Sequence, residues 1–228
     1  MLLAYSCSND VEPAEQQPQV VSDSLLIDAS NTQYRIQRMG TQLWMMENMR
    51  SIRKANPIYT YDYIEPPRDS SGNTRGLLYN YFTAEEMAPK GWRLPTLSDI
   101  DSLLHHLGAT PENAGLYIKG GNGWRHPKPD GVFALPAAGY AYKVLAGSST
   151  YTFVDSDSMA YLWLAEHDKF GGKNLRFSAN SSAMEIEEKV GQVEMYMSVR
   201  YVMDSPLSPQ EPQDSAEIAI ESRRLFFR

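Results

Sequence analysis

Thr96-Leu97-Ser98-Asp99 opens the one long amphipathic helix this chain encodes, and any fold must be built to receive it. The Thr96 hydroxyl can accept from a backbone N–H of the first turn, and Asp99 occupies the reciprocal position of a capping box, standing in for Glu. Ile100, Leu103, Leu104 and Leu107 then recur at helical spacing, giving one apolar stripe that must face a core. Gly108 follows, where a left-handed terminating residue belongs. The pattern predicts a helix over residues 97–107, preceded by Gly91-Trp92-Arg93-Leu94-Pro95.

The rest of the chain reads as short strands and turns. Tyr34 to Gly40 alternates as a half-buried strand does, Gly40-Thr41 supplies a turn, and Gln42 to Met45 returns as a second strand. Residues 65–76 carry the turn chemistry of a long loop, and Gly76 to Tyr81 is a short aromatic strand. Thr83 with Glu86 suggests a second capping box, on a helix that ends before Pro89. Thr110-Pro111-Glu112 reads as a cap followed by a proline at the first helical position. Phe133 to Tyr140 is a short buried segment, and strands are expected at 161–164, 174–178 and 195–202. In the last, Met195, Met197, Val199 and Tyr201 share one face, and Tyr196, Ser198, Arg200 and Val202 the other.

Charge separates the body from its extensions. The net charge is −7, but residues 1–34 carry −5 and residues 205–228 carry −1, which leaves −1 for residues 35–204. A nearly neutral body lacks the clustered basic footprint of a nucleic-acid surface. No run approaches the roughly 18 apolar residues of a membrane-spanning helix. Residues 8–24 are rich in Glu, Gln, Pro and Ser and read as a solvated tether, while Pro206, Pro209 and Pro212 mark an exit linker. The expected organisation is a tether over 1–24, a domain over 25–204 and a tail over 205–228. Cys7 is the single cysteine, so an internal disulfide is excluded and packing alone must hold the fold.

The context of Cys7, an apolar run Met1 to Ser6 followed by Ser8-Asn9-Asp10-Val11-Glu12-Pro13, resembles the end of a bacterial lipoprotein signal. That resemblance implies a diacylated Cys7, a membrane partner through the lipid, and a bacterial cell-surface or outer-membrane location.

Four ordered segments resemble the Fibrobacter succinogenes major paralogous domain of bacterial secreted and surface proteins. They are Gly40 to Arg50, the block Pro89-Lys90-Gly91-Trp92-Arg93-Leu94-Pro95, Asp130 to Ala137, and Ser198-Val199-Arg200-Tyr201-Val202-Met203-Asp204. The match covers about residues 33–204. Ala88 and Tyr201 stand where members of that family often carry cysteine, and Trp163-Leu164-Ala165 replaces a tryptophan-serine-serine segment. The resemblance implies an α+β fold of the C-type lectin-like and formylglycine-generating-enzyme kind, with short antiparallel strands, one main helix at 97–107 and long loops.

Trp44, Trp92 and Trp163 are expected in the core, whereas Trp124 follows Gly120-Gly121-Asn122-Gly123 and precedes Arg125, a context that favours exposure. Tyr59, Tyr61 and Tyr63 alternate and share one face if extended. Trp124, Arg125, Tyr59, Tyr61 and Tyr63 are therefore the candidate ligand-binding residues. The four histidines lack metal-ligand spacing. Asp155, Asp157 and Asp168 are weak calcium candidates; without the sugar-binding signatures of lectin calcium sites, no cofactor is expected. No nucleophile elbow, phosphate loop or dinucleotide fingerprint is present, nor the paired cysteines of formylglycine-generating enzymes. The expected function is a non-catalytic surface lipoprotein that binds an extracellular glycan or protein as an adhesion module. The alternatives are an assembly subunit docking through Ile218, Ile220, Leu225, Phe226 and Phe227, and a hydrolase with an unrecognised site.

Overall fold

Alternating apolar residues and tight turns dominate the chain, and hairpins are what they build. The computed structural model describes residues 21–22, 25–52, 63–120, 124, 133–144, 149–168, 171–187 and 194–205. In chain order the elements are β1 (Val21–Ser22), β2 (Leu25–Ile27), β3 (Gln33–Met39), β4 (Gln42–Met45), β5 (Tyr63–Ile64), β6 (Leu78–Tyr79), α1 (Tyr81–Glu86), α2 (Leu97–Leu107) and α3 (Gly115–Ile118). There follow β7 (Tyr140–Lys143), β8 (Tyr151–Val154), β9 (Met159–Asp168), β10 (Gly171–Ser178), β11 (Met184–Glu187), β12 (Met195–Tyr196) and β13 (Val202–Asp204). The sheets run β1-β2-β3-β4-β13, β11-β10-β9, β12-β7-β8 and β5-β6, with every paired neighbour antiparallel.

This overturns the α+β, lectin-like architecture with one main helix. The helix over 97–107 forms where the capping pattern placed it, but among the described residues it is one of three short helices laid against a predominantly β body. The reason lies in the second half. β9 and β10 extend for 10 and 8 residues, well past the apolar cores of 161–164 and 174–178, because cross-strand pairing carries polar residues along with apolar ones.

Local signals fared unevenly. The β3–β4 hairpin turns on Gly40 with a φ of 63°. Thr96 and Asp99 form the reciprocal capping box, and Gly108 is left-handed with a φ of 66°. In α1 the cap is Asn80, whose side chain accepts from the Thr83 N–H, so Thr83 lies inside the helix instead of opening it. Residues 111–114 are a turn and α3 begins only at Gly115, correcting the helix start at Pro111. The strand expected over 195–202 is interrupted: β12 and β13 flank residues held by single bridges to Tyr79 and Leu162.

Two main core clusters meet across that interrupted segment. Met197, Val199 and Tyr201, with Met195 beside them, pack with Tyr79, Trp92, Tyr161 and Trp163. Val202, on the other face, joins Trp44, Ile100, Leu103, Leu104, Phe133 and Leu162. The alternation of faces is thus real, but both faces are buried. Arg200 lies on the second face and is fully enclosed, donating to Asn48 Oδ1 at 2.9 Å and to the Phe133 and Ala134 carbonyls at 2.5 and 3.0 Å. Its guanidinium also lies 4.4 Å from the Phe133 ring centroid.

Candidate ligand-binding site

Trp124 is half-buried, and its indole N–H donates to the Gly120 and Leu135 carbonyls at 3.2 and 3.1 Å. Lys119 Nζ lies 5.6 Å from the ring centroid, so this tryptophan is engaged by described residues of its own chain. Tyr63 is half-buried on β5 with its ring 6.2 Å from that of Tyr79. Tyr59, Tyr61, Arg125 and Cys7 lie outside the described residues, as do residues 206–228. Trp44, Trp92 and Trp163 are buried as expected.

Asp155 and Asp157 occupy the turn between β8 and β9, both left-handed, with φ of 60° and 67°. Their carboxylates turn to protein partners. Asp155 Oδ2 accepts from the Tyr161 hydroxyl at 2.7 Å, and Asp157 Oδ1 pairs with the buried Arg75. Asp168 ends β9, and its side chain lies outside the described part. Among the described residues, no three His, Cys, Asp or Glu side chains converge as a metal site.

A different group of residues does converge, where the β12-β7-β8 sheet meets the β11-β10-β9 sheet. Gly139 makes the approach: it is left-handed with a φ of 67°, and a Cβ there would fall 2.2 Å from the Val154 carbonyl. Only glycine fits. Tyr140 and Tyr142 follow on one face of β7, with ring centroids 6.4 Å apart. Tyr140 meets Tyr161 of β9 edge to face, at 5.0 Å and 72°.

Across the second sheet, Tyr161, Arg176 and Glu185 pair in one row, and Trp163, Asn174 and Glu187 in the next. Arg176 Nε donates to Glu185 Oε2 at 2.8 Å, its Nη2 contacts the same oxygen, and its Nη1 lies 3.7 Å from Glu187 Oε1. The Glu185 hydrogen bond outweighs burial and raises the Arg176 pKa, so the guanidinium is held charged. Burial above all, with Asp155, Tyr142 and Glu187 beside it, pushes the Tyr140 hydroxyl up. Burial and then the Asp155 hydrogen bond do the same to Tyr161. Asn174 is fully buried, and neither its Oδ1 nor its Nδ2 has a hydrogen-bond partner. Tyr140, Tyr142 and Arg176 are half-exposed here, with three carboxylates against that guanidinium among the described residues, while Tyr161 and the unpaired Asn174 amide are buried beside them.

Sequence reasoning reached only Asp155 of this group, and as a calcium candidate. Tyr140-Ala141-Tyr142 carries the same alternation that singled out residues 59–63, and that was the available signal. Asn174, Arg176 and Glu185 had none, since their meeting depends on strand register.

The motif-bearing residues are mostly joined to one another and build the frame. Gln42 Nε2 donates to Asp99 Oδ1 at 2.5 Å and its Oε1 accepts from Trp44 at 3.2 Å. Asn48 Nδ2 donates to the Arg75 carbonyl and to Ser198 Oγ, each at 3.0 Å. No described helix is long and apolar enough to cross a membrane. A family model described as the Fibrobacter succinogenes major domain matches residues 38–203. No curated protein matches the chain, and no solved structure matches it.

Proposed function

With the chain belonging to the Fibrobacter succinogenes major domain family, we propose that it is a non-catalytic, carbohydrate-binding adhesion module of the bacterial cell surface. A lipid on Cys7 anchors it to the outer membrane, and residues 8–24 hold the domain clear of the bilayer. The ligand is an extracellular glycan, taken at the face where Tyr140, Tyr142 and Tyr161 meet Asp155, Arg176, Glu185 and Glu187. The supporting observation is this combination itself. Tyrosine rings give broad contact at small entropic cost, and carboxylates, guanidinium and amide offer the directional bonds that sugar hydroxyls need.

The test is a glycan array probed with the full chain and with Tyr142→Ala. The reading expects a set of glycans retained by the parent and lost by the variant. An array on which the parent retains nothing, or on which the variant matches the parent, counts against it. Anchoring is tested separately: Cys7→Ala is expected to move the protein from the membrane fraction to the soluble fraction.

A further inference from the structure

We infer that this face selects uncharged or amine-bearing sugars over acidic ones, and that the side-chain amide of Asn174 is held in reserve for the ligand's hydroxyls. The inference rests on the glycan-binding reading and sharpens it. Two independent observations carry it.

The first is charge. Asp155 accepts from the Tyr161 hydroxyl, Glu187 lies near enough to act on Tyr140, Glu185 and Glu187 flank Arg176, and among the described residues Arg176 is the guanidinium on this face. That guanidinium is committed: Glu185 holds its Nε and Nη2, and Glu187 lies at its Nη1. Among the described residues of this face, a uronate or sulfate brought to the tyrosines meets carboxylates and a guanidinium already paired with them, and like charges at close range oppose binding. A neutral sugar meets acceptors for its hydroxyl protons. An ammonium group meets carboxylates and aromatic faces, both favourable to it.

The second is Asn174. Buried polar groups in folded proteins almost always find partners. Other buried orphan atoms occur singly, on Arg75, Trp92, Ser156, Glu166 and Ser205, but among the described residues only Asn174 has both side-chain polar atoms unpaired. It projects from the same face of β10 as Arg176, because Leu175 between them points into the other core cluster. In the ladder it stands between Trp163 and Glu187. An amide carries donor and acceptor side by side, which matches adjacent sugar hydroxyls.

The experiment titrates the full chain, by calorimetry, with a neutral gluco-oligosaccharide, a deacetylated chito-oligosaccharide and an oligogalacturonate in mildly acidic buffer. The neutral or amine-bearing oligomer is expected to bind at least about tenfold more tightly than the acidic one, a difference that one close like-charge contact suffices to produce. Asn174→Leu is expected to weaken that binding about tenfold, the scale of one lost hydrogen bond to the ligand, while its melting temperature stays equal or rises. Glu187→Gln, isosteric and only half-buried, keeps the test decisive if the leucine variant does not fold. It is expected to narrow the gap between neutral and acidic oligomers.

An acidic oligomer bound as tightly as the others overturns the selectivity and leaves glycan binding standing. Unchanged affinity in a folded Asn174→Leu, or an unchanged gap in Glu187→Gln, likewise overturns the inference alone. Absence of binding to all three oligomers, together with a blank array, removes the glycan reading and this inference with it.

Discussion

The Tyr201 hydroxyl donates to the Ala84 carbonyl across 2.6 Å, tying the closing segment to the last turn of α1. That carbonyl is free to accept because the Ala88 N–H turns instead to Glu85. Ala84 and Tyr201 sit buried in one core cluster, with Ala88 packed against it. Positions 88 and 201 thus meet in one region, joined by packing and one buried hydrogen bond.

Tyr201→Phe removes that bond while keeping the ring. The expected cost is about 1 kcal/mol, the net worth of a typical buried hydrogen bond. Chemical denaturation should show the midpoint falling with the slope unchanged.

Asp99 gives an acid-side prediction. Burial alone would raise its carboxyl, but the Arg93 guanidinium and the Thr96 backbone and hydroxyl donors outweigh that and hold it below the usual carboxylate range. A folded-state value below the unfolded one means the stabilisation is complete above the unfolded pKa of about 4 and is lost as pH falls through the folded value. Asp99→Asn should therefore flatten the loss of stability below about pH 4. At neutral pH it should cost about 1–2 kcal/mol through the weakened cap. Unfolding free energies measured along a pH series read both effects.

At alkaline pH the buried tyrosines decide. Burial raises Tyr34, Tyr79, Tyr161 and Tyr201 above the ordinary value of 10.0. Groups whose folded value is raised stabilise fully below the unfolded value and lose that contribution as pH climbs past it. Arg200 works in the opposite sense, since burial draws it down to about 9 and folding is eased as it neutralises. Four groups against one set the direction. Stability should fall steeply above about pH 10, and absorbance at the phenolate band should show these tyrosines ionising together with unfolding.

Gly139→Ala should do more damage than its size suggests. The position is left-handed, and the added carbon would fall 2.2 Å from the Val154 carbonyl and 2.7 Å from the Ser156 nitrogen. A loss of roughly 2 kcal/mol or more is expected from strain and displaced backbone together. Because Tyr140 is the next residue, glycan affinity should fall with it, and calorimetric titration of the folded fraction would register that loss.

What the sequence made legible was local. The helix over 97–107 could be read because Thr96, Asp99 and Gly108 act within one or two turns of one another. The β3–β4 hairpin could be read because its turn is two residues long. The mainly β character was hidden, because β13 pairs with β4 from more than 150 residues away and β9 carries buried residues on both faces. The capping error at Thr83 arose because Asn80, three residues earlier, is an equally good cap in a register that only tertiary packing fixes. The tyrosine face was hidden for a related reason. Tyr140 becomes part of it through Tyr161, Arg176 and Glu185, which reach it along ladders whose register no single segment specifies.

The segment from Tyr196 to Val202 is walled in on both sides, and it is nearly the last of the described chain to be synthesised. Until it emerges, each half of the interior has an open flank, one beside Trp44 and Phe133 and the other beside Trp163. A nascent chain of this kind remains threadable until its final strand arrives.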